Sequence, residues 1–218
     1  MKRTQAGFTL IELAIVLVII GLLLGGVLKG QELINSAKVK NMAQDFRNIQ
    51  VYVYSYQDKF KALPGDDKAA KQHVGATKDG DGDGVIAGAW NATKAADTES
   101  FNFWQHIRLA GLATGSTAVG DDTYLPTNAE GGPIGIQAAS TKSITGLKGS
   151  YVVCSGGILG KFAKELDTAI DDGNTATGVM MTAKTGEVDG STAATPVSNV
   201  ATPATLDDST KYTVCMAF

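Results

Sequence analysis

Residues 8–28 read FTLIELAIVLVIIGLLLGGVL, twenty-one positions carrying one charge, Glu12, with Lys29 next. At 1.5 Å per residue a helix of this run spans about 30 Å, the thickness of a hydrocarbon core. Lys2 and Arg3 precede it, so the positive-inside bias keeps the N-terminus in the cytoplasm and sends the rest outside. A cleaved secretory signal is one rival. It needs a small-residue cleavage site, for which Gly25-Gly26 would serve only loosely, and the run is long for it. A plain membrane anchor is the other. A carboxylate at depth costs on the order of 3 kcal/mol in a membrane helix, which marks Glu12 as a functional group that wants a partner. Snorkelling from about one turn inside the run is the bland alternative.

Outward from this stretch, the 218-residue chain is 44% hydrophobic and 19% charged, with a net charge of −3. That excludes a disordered acidic chain and argues against a surface built to coat nucleic acid. The strongest hydrophobicity ends at Leu28. The remainder is rich in Gly, Ala, Thr, Ser and Asp, and 26 glycines suggest a loop-rich body. Two cysteines and two histidines, His73 and His106, stand in no ligand spacing, which excludes a zinc finger or an iron–sulfur protein. No nucleophile elbow, phosphate loop or dinucleotide fingerprint appears, so an enzyme is not expected.

The motif in register, a basic leader ending in Gly7, then Phe8-Thr9-Leu10-Ile11-Glu12 and the apolar run, resembles the N-terminus of type IV pilins, which type II secretion pseudopilins share. The resemblance covers about a fifth of the chain. It implies cleavage between Gly7 and Phe8 by a prepilin peptidase, N-methylation of Phe8, and an apolar helix that sits first in the inner membrane and then in the core of a helical filament of identical subunits. An inner-membrane platform and cytoplasmic ATPases would drive assembly. Glu12 would pair with the Phe8 ammonium of a neighbour and set axial register, since a carboxylate in an apolar core is costly unless paired. Many pilins carry a proline late in this segment. Here Gly21, Gly25 and Gly26 stand instead, with no proline before Pro64, so helix softening in a filament is expected near Gly25-Gly26.

Beyond Leu28, apolar residues fall at Val39, Met42, Phe46, Ile49, Val53, Tyr56 and Phe60, steps of three and four that mark one helix face. One helix is predicted from Phe8 to Phe60, stopped by Leu63-Pro64-Gly65. Tyr52, Tyr54 and Tyr56 are read as packing residues, not an electron path. The head shows a short helix over Ser100–Leu109, a stripe at Phe162, Leu166 and Ile170, and strands at Tyr151–Cys154, Gly178–Thr182 and Tyr212–Met216. Residues 187–210 read as an exposed loop, and the glycines at 131–132 and 156–157 as turn glycines. His106 is placed beside Trp104 and His73 at the surface. The expected fold is α+β and ladle-shaped: a long N-terminal helix whose outer half packs on an antiparallel sheet head, with short helices and long loops. Its parts are leader 1–7, apolar segment 8–28, amphipathic half 29–62 and head 63–218.

Asp79-Gly80-Asp81-Gly82-Asp83-Gly84 places carboxylates at positions one, three and five of a calcium-type loop with glycine sixth. The Val85 carbonyl would be a further ligand. Position twelve is Trp90, so this is no full EF-hand, and Glu99 is the candidate for the missing carboxylate, with Asp66 and Asp67 as alternatives. A structural Ca²⁺ is expected, against a solvated Asp-Gly turn. Cys154 and Cys215 lie in apolar strands outside the cytoplasm, where a disulfide is the default, two buried thiols being the alternative. The bridge would close a loop of 61 residues, and its resemblance to the C-terminal staple of pilins supports it. The leading reading is a pilus subunit for adhesion or motility. A type II secretion pseudopilin in the periplasm is second, and a monomeric membrane-anchored calcium- or ligand-binding protein third. A fibre-surface or minor subunit that binds glycans or DNA is fourth. Loss of Lys2 and Arg3 leaves 17 basic against 22 acidic residues, a charge of −5, which disfavours nucleic acid.

Overall fold

The computed structural model describes residues 9–94, 96–141, 143–190, 192–200 and 205–218. The first helix, α1, runs Leu10–Phe60. No proline interrupts it, and it passes Gly21, Gly25, Gly26 and Gly30 unbroken. The expected start at Phe8 lies outside the described residues. It ends where Lys61 turns left-handed (φ 56°) and Lys61 N–H closes on the Gln57 carbonyl, a C-terminal cap followed closely by Pro64. The chain divides between Lys38 and Val39 into two compact units. In the first, every residue from Leu10 to Leu28 is exposed, and the helix is long and apolar enough to cross a membrane.

The second unit begins with the amphipathic part of α1. Val39, Met42, Ala43, Phe46, Ile49, Val53 and Tyr56 are buried, and Phe60 is half-buried. Three more helices follow: α2 (Ala70–Val74), α3 (Glu99–Leu109) and α4 (Gly160–Ile170). Four strands, β1 (Ile134–Ala138), β2 (Tyr151–Leu159), β3 (Met180–Lys184) and β4 (Lys211–Ala217), form one antiparallel sheet in the order β1-β2-β4-β3. The fold is α+β, as the sequence predicts.

Side chains alternate across this sheet, as the two-residue period requires. Ile134, Ile136, Val153, Met180, Val214 and Met216 join the α1 stripe and the apolar residues of α3 and α4 in the main core. Val152, Cys154, Met181, Ala183, Cys215 and Ala217 face the other way and pack with Trp90, Ile144, Val188 and Ala194. Each fully buried large apolar side chain contributes about 1.5–3 kcal/mol.

Two sequence expectations are corrected. Residues 187–210 are not a plain exposed loop: Val188 and Ala194 are buried because the sheet has a second apolar face to cover, and Val197 and Leu206 are buried in a small cluster with Tyr212. Gly156 and Gly157 make no turn. They sit inside β2 at a register shift between Ser155 and Ile158, Gly157 with φ 71°, a bulge that bends the strand. Strand β1 and helix α2 carry too little apolar pattern to be read in advance.

Candidate functional site

Thr9 and Glu12 close the N-terminus of α1. Thr9 N–H and Thr9 Oγ1 each donate to Glu12 Oε2 at 2.7 Å, and Glu12 N–H donates to Thr9 Oγ1 at 3.3 Å. This is a capping box, which satisfies helix donors that would otherwise go unpaired. Its Thr-x-x-Glu signature stands in the sequence and had gone unread beside the assembly role. Gly7 and Phe8, the expected processing residues, lie outside the described residues.

The Asp-Gly loop is folded around Asp66, which is 3% exposed. Its carboxylate accepts three backbone N–H groups, Gly82 at 2.6 Å, Asp83 at 3.2 Å and Gly84 at 2.8 Å. The glycines are required: a Cβ on Gly80 would sit 2.3 Å from the Asp66 carbonyl carbon, and Gly82 has φ 76°. Glu99, opening α3, accepts from Asp81 N–H at 3.1 Å and Ala87 N–H at 2.9 Å. Asp66, Asp81 and Glu99 each bring one carboxylate oxygen within 4.8 Å of the others, close enough to share one cation. Burial pushes Glu99 above its ordinary pKa, and the charges of Asp66 and Asp81 add to it; burial raises Asp66 as well, against its backbone donors. An all-oxygen, strongly anionic donor set under this mutual repulsion fits a hard divalent cation.

The other expected ligands are placed differently. Asp79 accepts the Lys71 N–H at 2.8 Å and pairs with its Nζ at 3.3 Å. Asp83 Oδ1 receives the N–H of Val85 at 2.8 Å. The apolar anchor is Ile86, fully buried, whose carbonyl accepts from Ala138 N–H. Asp67 turns inward, taking Tyr56 Oη–H at 2.8 Å, Ala69 N–H at 2.9 Å and His73 Nδ1 at 2.7 Å. His73 is therefore partly a structural residue.

His106 also does more than sit beside Trp104. It is fully buried, accepts Gly65 N–H on Nδ1 at 2.9 Å, and lies with Nε2 3.1 Å from the Lys78 carbonyl. With Nδ1 accepting, the proton belongs on Nε2. Burial lowers the pKa of this imidazole, so the neutral ring ties Gly65 and Lys78, the two ends of the stretch that leads into the Asp-Gly loop, to α3. No spacing in the sequence signals this.

Cys154 and Cys215 form a disulfide between paired positions of β2 and β4, both fully buried.

Residues 2–28 match the family described as "Prokaryotic N-terminal methylation motif". The chain carries the class III leader of type IV pilins and pseudopilins. Comparison with curated proteins and with solved structures gave no match. The leader motif implies processing by a prepilin peptidase and entry into a pilus-type assembly machinery. Together with the exposed apolar helix, it fits a membrane-anchored precursor.

Proposed function

We propose that this chain is a structural subunit of a type IV pilus. It is cut between Gly7 and Phe8 on the cytoplasmic side, methylated at Phe8, and polymerised through its apolar helix into an extracellular fibre for attachment or motility. The observation that carries the proposal is the run Leu10–Leu28, helical and wholly exposed in the isolated chain. Such a surface needs a bilayer or neighbouring copies of itself. Partners are then identical subunits, the prepilin peptidase, an inner-membrane platform and its ATPases. The role is structural, not catalytic. A type II secretion pseudopilin shares the leader and the helix. The Cys154–Cys215 staple supports the pilus reading. Mass spectrometry of sheared surface fibres is expected to find a subunit beginning at methylated Phe8. A processed chain absent from such fibres would move it to a pseudopilin; an uncut chain that stays monomeric would reject both.

The Asp-Gly loop is proposed to hold a structural Ca²⁺ through Asp66, Asp81 and Glu99, cross-linking a loop that has little apolar content. In the full-length chain in detergent, Ca²⁺ is expected to raise the melting temperature. Asp81→Ala should remove part of that rise while leaving the melting temperature in EDTA nearly unchanged, because Asp81 is exposed. A calcium response identical in this variant and the wild type would exclude the site.

A further inference from the structure

A second cluster of carboxylates lies at the end of α4, far in sequence from the Asp-Gly loop and sharing no residue with it. Asp167 is fully buried on the core side of α4. Among the described residues, neither of its carboxylate oxygens has a hydrogen-bond partner of ordinary geometry. Asp171 and Asp172, one turn on, each bring an oxygen into the same group of three, all within 4.8 Å of one another. Asp171 is half-buried and Asp172 exposed, so the cluster runs from a buried base to an open mouth.

The surroundings make this arrangement costly as it stands. A buried charge without a partner is among the most destabilising features of a protein interior. Burial is the largest cause that raises Asp167, and the charges of Asp171 and Asp172, both of its own sign, add to it and push it up to about 7; the Gly173 N–H stands near enough to oppose them weakly without making a hydrogen bond of ordinary geometry. Arg47 of α1 reaches this end of α4, but it donates to the Ala169 carbonyl at 3.4 Å. The two outer carboxylates are already aimed. Asp171 Oδ2 accepts Met180 N–H at 2.8 Å. Asp172 accepts Asn174 N–H and Thr177 Oγ1–H, both at 2.8 Å. The chain also closes tightly on Asp171: a Cβ at Gly178 would fall 2.0 Å from its Oδ2, so glycine alone fits there. Each outer carboxylate keeps lone pairs free after these bonds.

We propose that Asp167, Asp171 and Asp172 form a second divalent-cation site that takes Ca²⁺ and fixes the chain where it leaves α4. The donor set is carboxylate oxygen throughout, which selects Ca²⁺ or Mg²⁺ over softer metals. Three carboxylates in an irregular turn suit Ca²⁺, whose coordination is flexible, better than Mg²⁺, which demands near-ideal octahedral geometry. Asp167 supplies the buried ligand, and water completes the shell at the mouth. The site stands or falls apart from the choice between pilin and pseudopilin.

The test uses the full-length chain in detergent, stripped with EDTA and titrated with CaCl₂ by calorimetry, with melting curves in parallel. In an Asp81→Ala background, which disables the Asp-Gly loop, one Ca²⁺ per chain should still bind. Adding Asp167→Asn should abolish that binding, and adding the exposed change Asp172→Asn should weaken it at least tenfold. The melting temperature gives a second readout. Asp167→Asn is expected to raise it in EDTA, where an unpartnered carboxylate is relieved, and to lower it relative to the unmutated background in saturating Ca²⁺. That inversion is what a merely protonated buried aspartate would not produce. No Ca²⁺ bound in the Asp81→Ala background, binding unaffected by both aspartate changes, or an equal rise of melting temperature with and without Ca²⁺ would each overturn the site. Should Asp167→Asn fail to fold, the Asp172→Asn titration decides alone.

Discussion

Glu12→Gln is expected to leave a membrane-stable, correctly cleaved subunit that does not join filaments. The choice of glutamine matters because Glu12 has two possible jobs. It closes the capping box with Thr9, and glutamine serves in that box as well as glutamate does. What glutamine cannot supply is the negative charge proposed to meet the Phe8 ammonium of a neighbouring subunit. Removing one partner of a buried pair leaves the other uncompensated, at a cost of about 3–5 kcal/mol. That corresponds to a loss of more than hundredfold in association at each contact. Glu12→Ala should fail to the same extent and also weaken the first turn of α1. Counting fibres sheared from cells by electron microscopy, with the membrane pool measured by blotting, separates the cases. Normal filament yield from Glu12→Gln together with failure of Glu12→Ala would assign Glu12 to helix capping alone.

Replacing both Cys154 and Cys215 by alanine is expected to destabilise the Val39–Phe218 unit by about 4 kcal/mol, the chain-entropy value for a closed loop of this size. The sequence separation is 61 residues. For a unit this large each kcal/mol moves the melting temperature by about 2–4 °C, so a drop on the order of 10 °C should appear in a calorimetric scan. The effect should be large because the bridge lies between β2 and β4, the two central strands of the sheet. Among the described residues, it packs with Trp90, Ile144, Val188 and other loop residues, on the face away from the helices of the main core. A fall of no more than a degree or two would show that this face holds without its staple.

Much of the architecture could be read along the chain because its signals are local. The stripe from Val39 to Tyr56 is buried as its period of three and four requires, and α3, α4, β2, β3 and β4 lie where their apolar patterns put them. Strand β1 escaped notice because Ile134-Gly135-Ile136-Gln137-Ala138 offers only two large apolar residues. Its place depends on pairing with β2 and on Gln137 Oε1 accepting Trp90 N–H. The loop over the second face was misread for a related reason. Val188 and Ala194 are isolated among polar residues, and their burial follows from an apolar surface that only the completed sheet creates.

The same division runs through the functional residues. Composition and order along the first twenty-eight positions were enough to establish a membrane-length helix behind a processing leader, because hydrophobic length and flanking charge need no partner from elsewhere. The carboxylates were different. That Asp81 would meet Asp66 and Glu99, while Asp79 and Asp83 turned to local backbone and Lys71, was decided by how the segment after α1 folds back over the start of α3. That Asp167 would be stranded in the core beside Asp171 and Asp172 was decided by which face of α4 packs on the sheet. Ion-site chemistry depends on distances of a few ångströms between residues far apart in the chain, and such distances exist only once the core has closed.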